Sequence, residues 1–305
     1  MSSSQPGIFA QGTRSHHYLE YDVRAESDAS ADDLRAAIGS LREPSVTAGG
    51  ANIVLAFSRR LWARLCPEDG VPTGLRDFEP VAGRARTAAA TQHDLWLWTH
   101  GANSDVVVDV ARASTFALGP VATLAHEQPA FVYKESRDFF GFIDGTENPP
   151  VWEGHLVTQI PASRPGAGGS YVLTMKWVHD LGTFHALAER DQEDVIGRTK
   201  DDSEELPDDV RPDTAHISRV VIEDDDGEEL EIYRRSTPFG SVREQGLQFV
   251  AFAKDIGIYD AMLARMFGTS GDGLHDRLTE FSNPVRGAYY FAPSLEQLHE
   301  VLGPL

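Results

Sequence analysis

The segment His17–Phe57, HYLEYDVRAESDASADDLRAAIGSLREPSVTAGGANIVLAF, sets the architecture of this chain. Its beginning, as far as Val23, alternates like a half-buried β-strand, and its end, Asn52–Phe57, is an apolar run typical of a buried strand. Between them, Ser30 stands three residues before Asp33, a spacing that predicts a helix N-cap. The apolar residues that follow recur at the i, i+3, i+4 and i+7 positions of an amphipathic helix. The segment therefore predicts strand, helix and strand in succession.

The rest of the first half completes a six-element unit. Ser58 caps a short inserted helix that ends near Cys66, and a loop rich in Gly, Pro and Arg follows. The later elements are a strand at Leu95–Thr99, a helix at Asp105–Ala113 and a strand at Ala130–Tyr133. Without the inserted helix, the predicted order is β-α-β-β-α-β.

The second half repeats this order without obvious sequence identity to the first. Its predicted strands are Ser170–Val178, His216–Ile222, Leu230–Arg235 and Gly287–Phe291, and its predicted helices are Leu181–Ile196, Tyr259–Phe267 and Ser294–Leu302. Two such units predict an α+β protein with a duplicated ferredoxin-like fold. We divide the chain into a first half at 1–138, a linker at 139–168 and a second half at 169–305.

Composition excludes several classes of protein. A net charge of −20 would repel phosphates, which argues against a nucleic-acid partner. Cys66 is the only cysteine, so an internal disulfide and a cysteine-bound iron–sulfur cluster are excluded. No apolar stretch approaches the roughly 18 residues of a membrane span, and the N-terminal region does not resemble an export signal. We therefore expect a cytoplasmic protein that is not bound to a membrane.

The linker contains Phe139–Pro149, FFGFIDGTENP. Its aromatic residues and glycines suggest backbone held close to something flat and apolar, with the Asp144 carboxylate directed at it. Asp-Gly and Asn-Pro are also common turn dipeptides, so an interdomain turn explains the same residues.

A second candidate region is residues 216–240, HISRVVIEDDDGEELEIYRRSTPFG. A turn at Asp226–Gly227 would bring His216 close to Arg234. His216 leads into an apolar run, where a neutral imidazole could bind a metal, although a buried histidine bonded to a carbonyl would have the same pattern. The sequence has no HExxH, Walker A, GxSxG or GxGxxG motif, which leaves zinc proteases, P-loop proteins, serine hydrolases and Rossmann enzymes without their signatures.

Residues 141–149, GFIDGTENP, resemble the GxxDG(T)xNP signature of the dye-decolorizing (DyP-type) peroxidases. Further blocks resemble the family in the same order: Gly169–Val172, Val178–Leu181, Gln192–Glu193, Ile196–Lys200, His216–Arg219, Arg234–Pro238 and Asp276–Ser282. The likeness extends from Gln5 to Pro293, and the lack of long insertions resembles the B-type (P-class) bacterial members. It implies two ferredoxin-like halves in the DyP-type dimeric α/β-barrel-like fold, around one haem b.

The resemblance also implies roles for individual residues. His216 matches the proximal ligand of the haem iron, and Asp276 matches the carboxylate that orients it, although Asp276 could instead cap a helix. Asp144 and Arg234 match the catalytic pair that cleaves peroxide. Arg235 is the fallback for Arg234 if the strand register differs.

Four further residues are expected to contact the cofactor. Ser236 stands where some B-type members have asparagine, so its hydroxyl would replace an amide near the peroxide. Phe249 and Phe267 lie in blocks that resemble haem-contacting segments, although both could be ordinary core residues. Asn148 would lie near the haem propionates.

The function implied is that of a haem peroxidase that reduces hydrogen peroxide through an oxoferryl intermediate. Its donors would be dyes, phenolics or similar one-electron reductants, with Mn(II) as a further candidate. The alternatives are a haem-handling protein for transport, storage or iron release, and a cofactor-free interaction protein. Asp144 and Arg234 favour the peroxidase, because haem binding alone requires only His216 and an apolar slot. A homo-oligomer is expected, and encapsulin cargo is not, since no extension follows the family core.

Overall fold

The structure is a computed structural model that describes residues 3–41, 50–67, 70–224 and 226–303. The strands of the first half are β1 (Ser15–Val23), β2 (Ala51–Phe57), β3 (Val81–Ala82), β4 (Thr87–Ala88), β5 (Leu95–Gly101) and β6 (Ala122–Phe131). Its helices are α1 (Ala31–Gly39), α2 (Arg59–Leu65) and α3 (Ser104–Leu118). Ser30 and Asp33 form the predicted capping box at the start of α1.

The second half contains strands β7 (Ser170–His179), β8 (Tyr233–Arg234), β9 (Thr237–Gly240), β10 (Gln245–Ala253) and β11 (Ser282–Ala292). Its helices are α5 (Leu181–His185), α6 (Glu189–Ile196), α7 (His216–Val220), α8 (Ile256–Phe267) and α9 (Leu295–Leu302), and α4 (Gly154–Thr158) precedes them in the linker. Within the described ranges, none of these helices combines the length and apolar character needed to cross a bilayer.

One antiparallel sheet joins the two halves in the order β6-β1-β5-β2-β11-β7-β10-β8, with β9 also paired to β10. Each half contributes four main strands to this sheet: β1, β2, β5 and β6 in the first half, and β7, β8, β10 and β11 in the second. In each set the fourth strand lies beside the first, and the third lies between the first and the second. This is the ferredoxin-like order, so the predicted duplication is confirmed. The halves meet where Phe57 of β2 pairs with Phe291 of β11. Contact between β6 and β9 curls the sheet toward a barrel.

The two faces of the curled sheet bury different cores. The inner face carries aromatic side chains from both halves, including Tyr18, Trp98 and Tyr290. On the outer face of the first half, helix residues Leu34 and Ile38 are fully buried against the strands. Burying each such side chain contributes about 1.5–3 kcal/mol. The first half is therefore closed by its own helices.

Several predicted elements differ from the structure, and the strand predicted at Leu230–Arg235 shortens to β8, Tyr233–Arg234. His216–Ile222 is not a strand, because its first residues form helix α7, which is bonded to α8 by Arg219 and Arg265. These tertiary contacts override the β-propensity of its Val and Ile residues. The single helix predicted at Leu181–Ile196 is two helices, α5 and α6. Strand β6 begins eight residues before the predicted Ala130, since Pro129 is tolerated in an edge strand.

Candidate active site

A large cavity opens on the outer face of the second half. It encloses about 1610 Å³ of empty space, which includes its opening to solvent. Side chains from β7, β10, α7 and α8 form part of its wall, and residues 138–147 and 229–236 contribute most of the rest. Apolar residues of this wall include Leu173, Met175, Trp177, Leu247, Met262 and Met266. The same sheet face that is covered by helices in the first half is therefore open to a ligand here.

His216 lines this cavity and is held by a carboxylate. Its Nδ1 lies 2.6 Å from Asp276 Oδ2, and Asp276 is fully buried. Asp276 Oδ1 accepts a hydrogen bond from Leu278 N at 2.9 Å, so the carboxylate also caps a short 3-10 turn. Because Nδ1–H donates to the carboxylate, the lone pair lies on Nε2, the nitrogen that can bind a metal. Asp276 therefore caps this turn and also contacts His216, so the two predicted alternatives are compatible.

Two arginines fix the helix that carries His216. The buried Arg219 of α7 donates to Arg265 O on α8 at 3.2 Å and to Asp272 Oδ2 at 2.7 Å. Arg265 donates in return to Ser218 O at 2.7 Å. This reciprocal clamp holds α7 against α8, and so it sets the position of the imidazole. No sequence motif had indicated the clamp.

Asp144 and Arg234 line the same cavity from two other segments. Asp144 lies in the linker between Gly141 and Gly145, whose φ values of +98° and +85° are left-handed and favour glycine. Arg234 lies on β8, and its neighbour Arg235 points to the opposite face, as alternation along a strand requires. Of the two arginines, Arg234 lines the cavity and Arg235 does not.

Arg235 has a different set of partners. Its guanidinium donates to Ala10 O at 2.9 Å, bonds to Ile8 O, and lies 5.1 Å from the ring of Trp98. Burial lowers the pKa of Arg235. Through these hydrogen bonds, the Arg235 side chain links Ile8 and Ala10 to the end of β8.

Asn148 lies beside the cavity wall, and its amide is used by the backbone of Arg234. Asn148 Nδ2 donates to Arg234 O at 2.7 Å, and Arg234 N donates to Asn148 Oδ1 at 2.8 Å. This differs from the predicted location near a cofactor, since Asn148 does not contribute to the cavity lining. The pair joins the linker that carries Asp144 to the strand that carries Arg234.

The other residues expected at the cofactor divide into two groups. Ser236 and Phe249 line the cavity. Phe267 does not; it is buried behind the wall, where its ring stacks on that of Trp177 at 6.1 Å between centroids. Phe267 is therefore a buried core residue, which was the alternative to a contact with the cofactor.

Two polar residues of the cavity had no predicted role. His179 Nδ1 contacts Ser282 Oγ at 2.7 Å, whereas its Nε2 is shielded from solvent without a hydrogen-bond partner in the described chain. Burial lowers the pKa of His179 to about 3, so the ring is neutral. Burial, and then the charge of Asp144, raises the pKa of Asp138 to about 7. His179 lies in a block that resembles the family and Asp138 lies just before another, but an isolated His or Asp carried no further signal.

Acidic residues gather at the edge of the cavity. Glu147, Glu229 and Glu231 contribute to its lining, and Arg198 bridges Glu147 and Glu205 with contacts of 2.7 Å each. Burial raises the pKa of Glu229, and the neighbouring carboxylates raise it further. Among the described residues, no group of three His, Cys, Asp or Glu side chains is preassembled for a metal ion.

The residues of the cavity fit a haem group. A neutral imidazole whose Nδ1–H is bound to a carboxylate is a common axial ligand for haem iron. The mostly apolar wall suits a flat macrocycle, and the unpartnered His179 Nε2 offers a contact for a polar group of the bound molecule. His216 would hold the iron, and Asp144 and Arg234 would remain available for a small oxygen-containing substrate.

Comparisons with known proteins cover nearly the whole chain. Residues 5–131 match the family model "Dyp-type peroxidase, N-terminal", and residues 135–297 match "Dyp-type peroxidase, C-terminal". A dye-decolorizing peroxidase from Mycobacterium tuberculosis is 33% identical over 97% of this chain and 90% of its own length. Another from Rhodococcus erythropolis is 32% identical over 93% of this chain and 84% of its own length.

Solved structures show the same likeness. A dyp-type peroxidase protein from Shewanella oneidensis superposes with a TM-score of 0.92 at 32% identity, covering 98% of this chain and 99% of its own. A variant of DypB from Rhodococcus jostii RHA1 in complex with haem has a TM-score of 0.87 at 32% identity, covering 95% and 96%. Another DypB variant is in complex with manganese, and a neighbour from Mycobacterium smegmatis is encapsulated.

Proposed function

Since this chain belongs to the Dyp-type peroxidase family and is a haem peroxidase, we propose that His216 holds its haem and that Asp144 and Arg234 activate hydrogen peroxide. One observation carries this assignment. His216, whose Nδ1 lies 2.6 Å from Asp276 Oδ2, lines the same cavity as Asp144 and Arg234. A metal-binding nitrogen, a proton acceptor and a fixed positive charge therefore converge on one apolar space.

His216 and Asp276 serve the haem. The haem, when bound, supplies the redox-active iron at which peroxide is reduced. Asp276 fixes the orientation of the imidazole and increases the basicity of Nε2, which favours the oxidised form of the metal. Phe249 and the methionines of α8 give the cofactor apolar contacts.

Asp144 and Arg234 serve the peroxide. Cleavage of its O–O bond requires that a proton move from one oxygen to the other, and the Asp144 carboxylate is placed to move it, directly or through water. Arg234 supplies a fixed positive charge for the oxygen that becomes negative. Ser236 adds a hydroxyl that can donate to peroxide. Asn148 keeps Arg234 in place relative to the linker, because it bonds both backbone groups of that residue.

The test is stopped-flow absorbance of the ferric, haem-loaded protein mixed with one equivalent of hydrogen peroxide. We expect a fast change of the Soret band that an added phenol reverses. Asp144→Asn and Arg234→Leu should each slow it by about 10²–10⁴-fold, the usual contribution of such groups. Asp109→Asn and Arg112→Leu are matched controls, since both residues lie exposed on α3.

Two results would contradict this assignment. A wild-type Soret band that peroxide left unchanged, or only bleached slowly, would favour a haem-handling protein. If Arg234→Leu reacted at the wild-type rate and Asp144→Asn did not, the shared role of the two residues would be wrong.

The acidic edge of the cavity supports cationic donors in addition to dyes and phenols. A DypB variant is in complex with manganese, and Glu147, Glu229 and Glu231 would attract a divalent cation to the cavity here. We expect Glu229→Gln to raise the KM for Mn²⁺ and to leave the KM for a neutral phenol unchanged. Equal effects on both donors would exclude a role of the acidic edge in donor choice.

We also propose that the protein forms a homo-oligomer in the cytoplasm. Trp152 is 74% exposed and Leu156 is 61% exposed on the segment around α4, an apolar surface that a second copy would cover. Light scattering of the wild type and of Trp152→Ser would test this, with a smaller particle expected for the variant. An unchanged mass would place the interface elsewhere. Cys66 is the only cysteine of the sequence, so no internal disulfide can form, which agrees with a reducing compartment.

A further inference from the structure

A second carboxyl group shares the cavity with Asp144. Asp138 and Asp144 both line the cavity and belong to one tight loop where the first half meets the linker. Asp138 N donates to Phe142 O at 2.9 Å, and Asp144 N donates to Ser136 O at 2.9 Å, so hydrogen bonds close the loop on both sides. The fold therefore fixes the two carboxyl groups relative to each other.

The backbone holds the carboxyl group of Asp138 in place. Its Oδ1 accepts hydrogen bonds from Gly141 N at 3.0 Å and from Phe142 N at 3.3 Å. An amide oxygen could accept the same two bonds. Replacement of Asp138 by Asn would therefore keep the loop and remove only the titratable proton.

Several cations around the loop are bonded to other groups. Just before the linker, Arg137 donates to Gly141 O and Lys200 O, at 2.7 and 2.8 Å. After α6, Lys200 Nζ bonds to Gln192 Oε1, and Arg198 pairs with glutamates. At the end of β7, His179 is neutral, and on β8 Arg234 lines the same cavity as Asp138 and Asp144. Among the described residues, Asp138 makes no ion pair with any of these groups.

In an apolar cavity, a charge on Asp144 disfavours a second charge on Asp138. Burial raises the pKa of Asp138 to about 7, with the charge of Asp144 as the second cause, although the backbone N–H groups oppose this shift. Asp138 is thus the carboxyl group that stays protonated at mildly acidic pH. Asp144 is left as the proton acceptor.

We propose that Asp138 is a positioning residue that holds a proton beside Asp144 and passes it to Asp144 during peroxide reduction. This inference rests on the proposed function of Asp144. Reduction of one hydrogen peroxide to two waters consumes two electrons and two protons. When the donor is a metal ion, which supplies electrons only, both protons must come through the protein. In the transfer, Asp138 becomes a carboxylate, Asp144 becomes a carboxylic acid, and solvent later returns the proton to Asp138.

The experiment compares Asp138→Asn and Asp138→Ala with the wild-type holoenzyme between about pH 5 and pH 8, the range in which a group of this kind titrates. In the wild type, with hydrogen peroxide and an electron-only donor such as Mn²⁺, we expect the rate of turnover to fall as the pH rises through about 7. In Asp138→Asn this fall should disappear, and the rate at the acidic end should be about tenfold below that of the wild type. Asp109→Asn removes an exposed carboxylate of α3 and should behave like the wild type.

Thermal unfolding of the same holoproteins gives a readout that does not depend on activity. A carboxyl group whose pKa is higher in the folded than in the unfolded state stabilises the fold fully below the unfolded pKa, and this stabilisation is lost as the pH rises through the folded pKa. The melting temperature of Asp138→Asn minus that of the wild type should therefore increase by about 2–4 °C or more between pH 4 and pH 8. Asp109→Asn should show no such trend.

Three outcomes would overturn the proposal. Asp138→Asn could keep the fall near neutral pH, or it could react at the full wild-type rate at acidic pH. Equal losses of rate and stability in Asp138→Asn and Asp138→Ala would show that the residue only shapes the loop. Failure of the proposed function is recognised separately, since the wild-type reaction or its dependence on Asp144 would then be absent.

Discussion

The two halves of the molecule have the same strand order but differ in what covers the outer face of the sheet. In the first half, the connection between the first and second strands runs from residue 24 to residue 50, and helices cover the outer face of the sheet. In the second half, the corresponding connection runs from residue 180 to residue 232, and the same face is open as a cavity. Strand topology therefore builds the frame in both halves, whereas the length and path of the connections decide whether a face becomes core or active site.

The largest difference between the halves should appear in the free energy of unfolding when one large side chain is shortened in each half. Leu34→Ala removes a fully buried side chain of α1 and should lower the free energy of unfolding by about 2–5 kcal/mol. Met262→Ala removes a partly exposed side chain of the cavity wall and should cost the apoprotein less than about 1.5 kcal/mol. Urea unfolding of both apoproteins checks this. Equal losses would show that the second half is packed as tightly as the first.

Each half also has a buried aspartate that accepts several hydrogen bonds. Asp276 orients His216, so Asp276→Asn should reduce haem affinity or the peroxide rate by about 10–100-fold. Asp94 accepts from Val23 N at 2.9 Å and pairs with Arg60, so Asp94→Asn should lower stability only. Haem titration and stopped flow separate the two effects. A loss of haem binding in Asp94→Asn would show that the halves are coupled.

A similar pair of asparagines tests the link between the linker and β8. Asn148→Ala removes two hydrogen bonds to the backbone of Arg234 and should slow the peroxide reaction by about tenfold, since each bond is worth roughly 1 kcal/mol. Asn52→Ala removes a hydrogen bond to His100 O in the first half and should leave the rate unchanged. Stopped flow at one pH is sufficient. A normal rate for Asn148→Ala would mean that β8 holds Arg234 unaided.

The smallest effect should be equal in the two halves. Ser30 caps α1 and Ser294 caps α9, each in a complete capping box. Ser→Ala at either position should lower the free energy of unfolding by about 1 kcal/mol, with no change in the peroxide rate. Denaturant unfolding measures the loss. A much larger loss at Ser294, which is fully buried, would indicate an additional packing role there.

The sequence predicted what local patterns encode. Capping boxes, strand alternation and the repeated order of elements led to the duplicated fold, and adjacent Arg234 and Arg235 were separated by strand alternation. The family motifs led to His216, Asp144 and Arg234, which line one cavity, and to Asp276, which contacts His216; their roles stay predictions. These features depend on residue types at fixed short spacings, which a single sequence displays directly.

What the sequence did not predict depends on contacts between distant segments. Helix α7 was mistaken for a strand because the clamp between Arg219 and Arg265 joins residues far apart in the chain. The pairing of Asn148 with Arg234, which spans 86 residues, was likewise not predicted. Asp138 gave no signal at all, since its importance comes from sharing a cavity with Asp144.

Strand β8 is only two residues long, yet it is secured from both faces. Asn148 bonds the backbone of Arg234 on one side, and on the other the side chain of Arg235 is tied to the carbonyl groups of Ile8 and Ala10. For protein engineering, this makes the exposed turn just before the strand, around Gly227, a suitable place to insert or exchange loops. Changes of length there would be absorbed before they reached Arg234, so the rim of the cavity could be redesigned for new donors while the peroxide site kept its register.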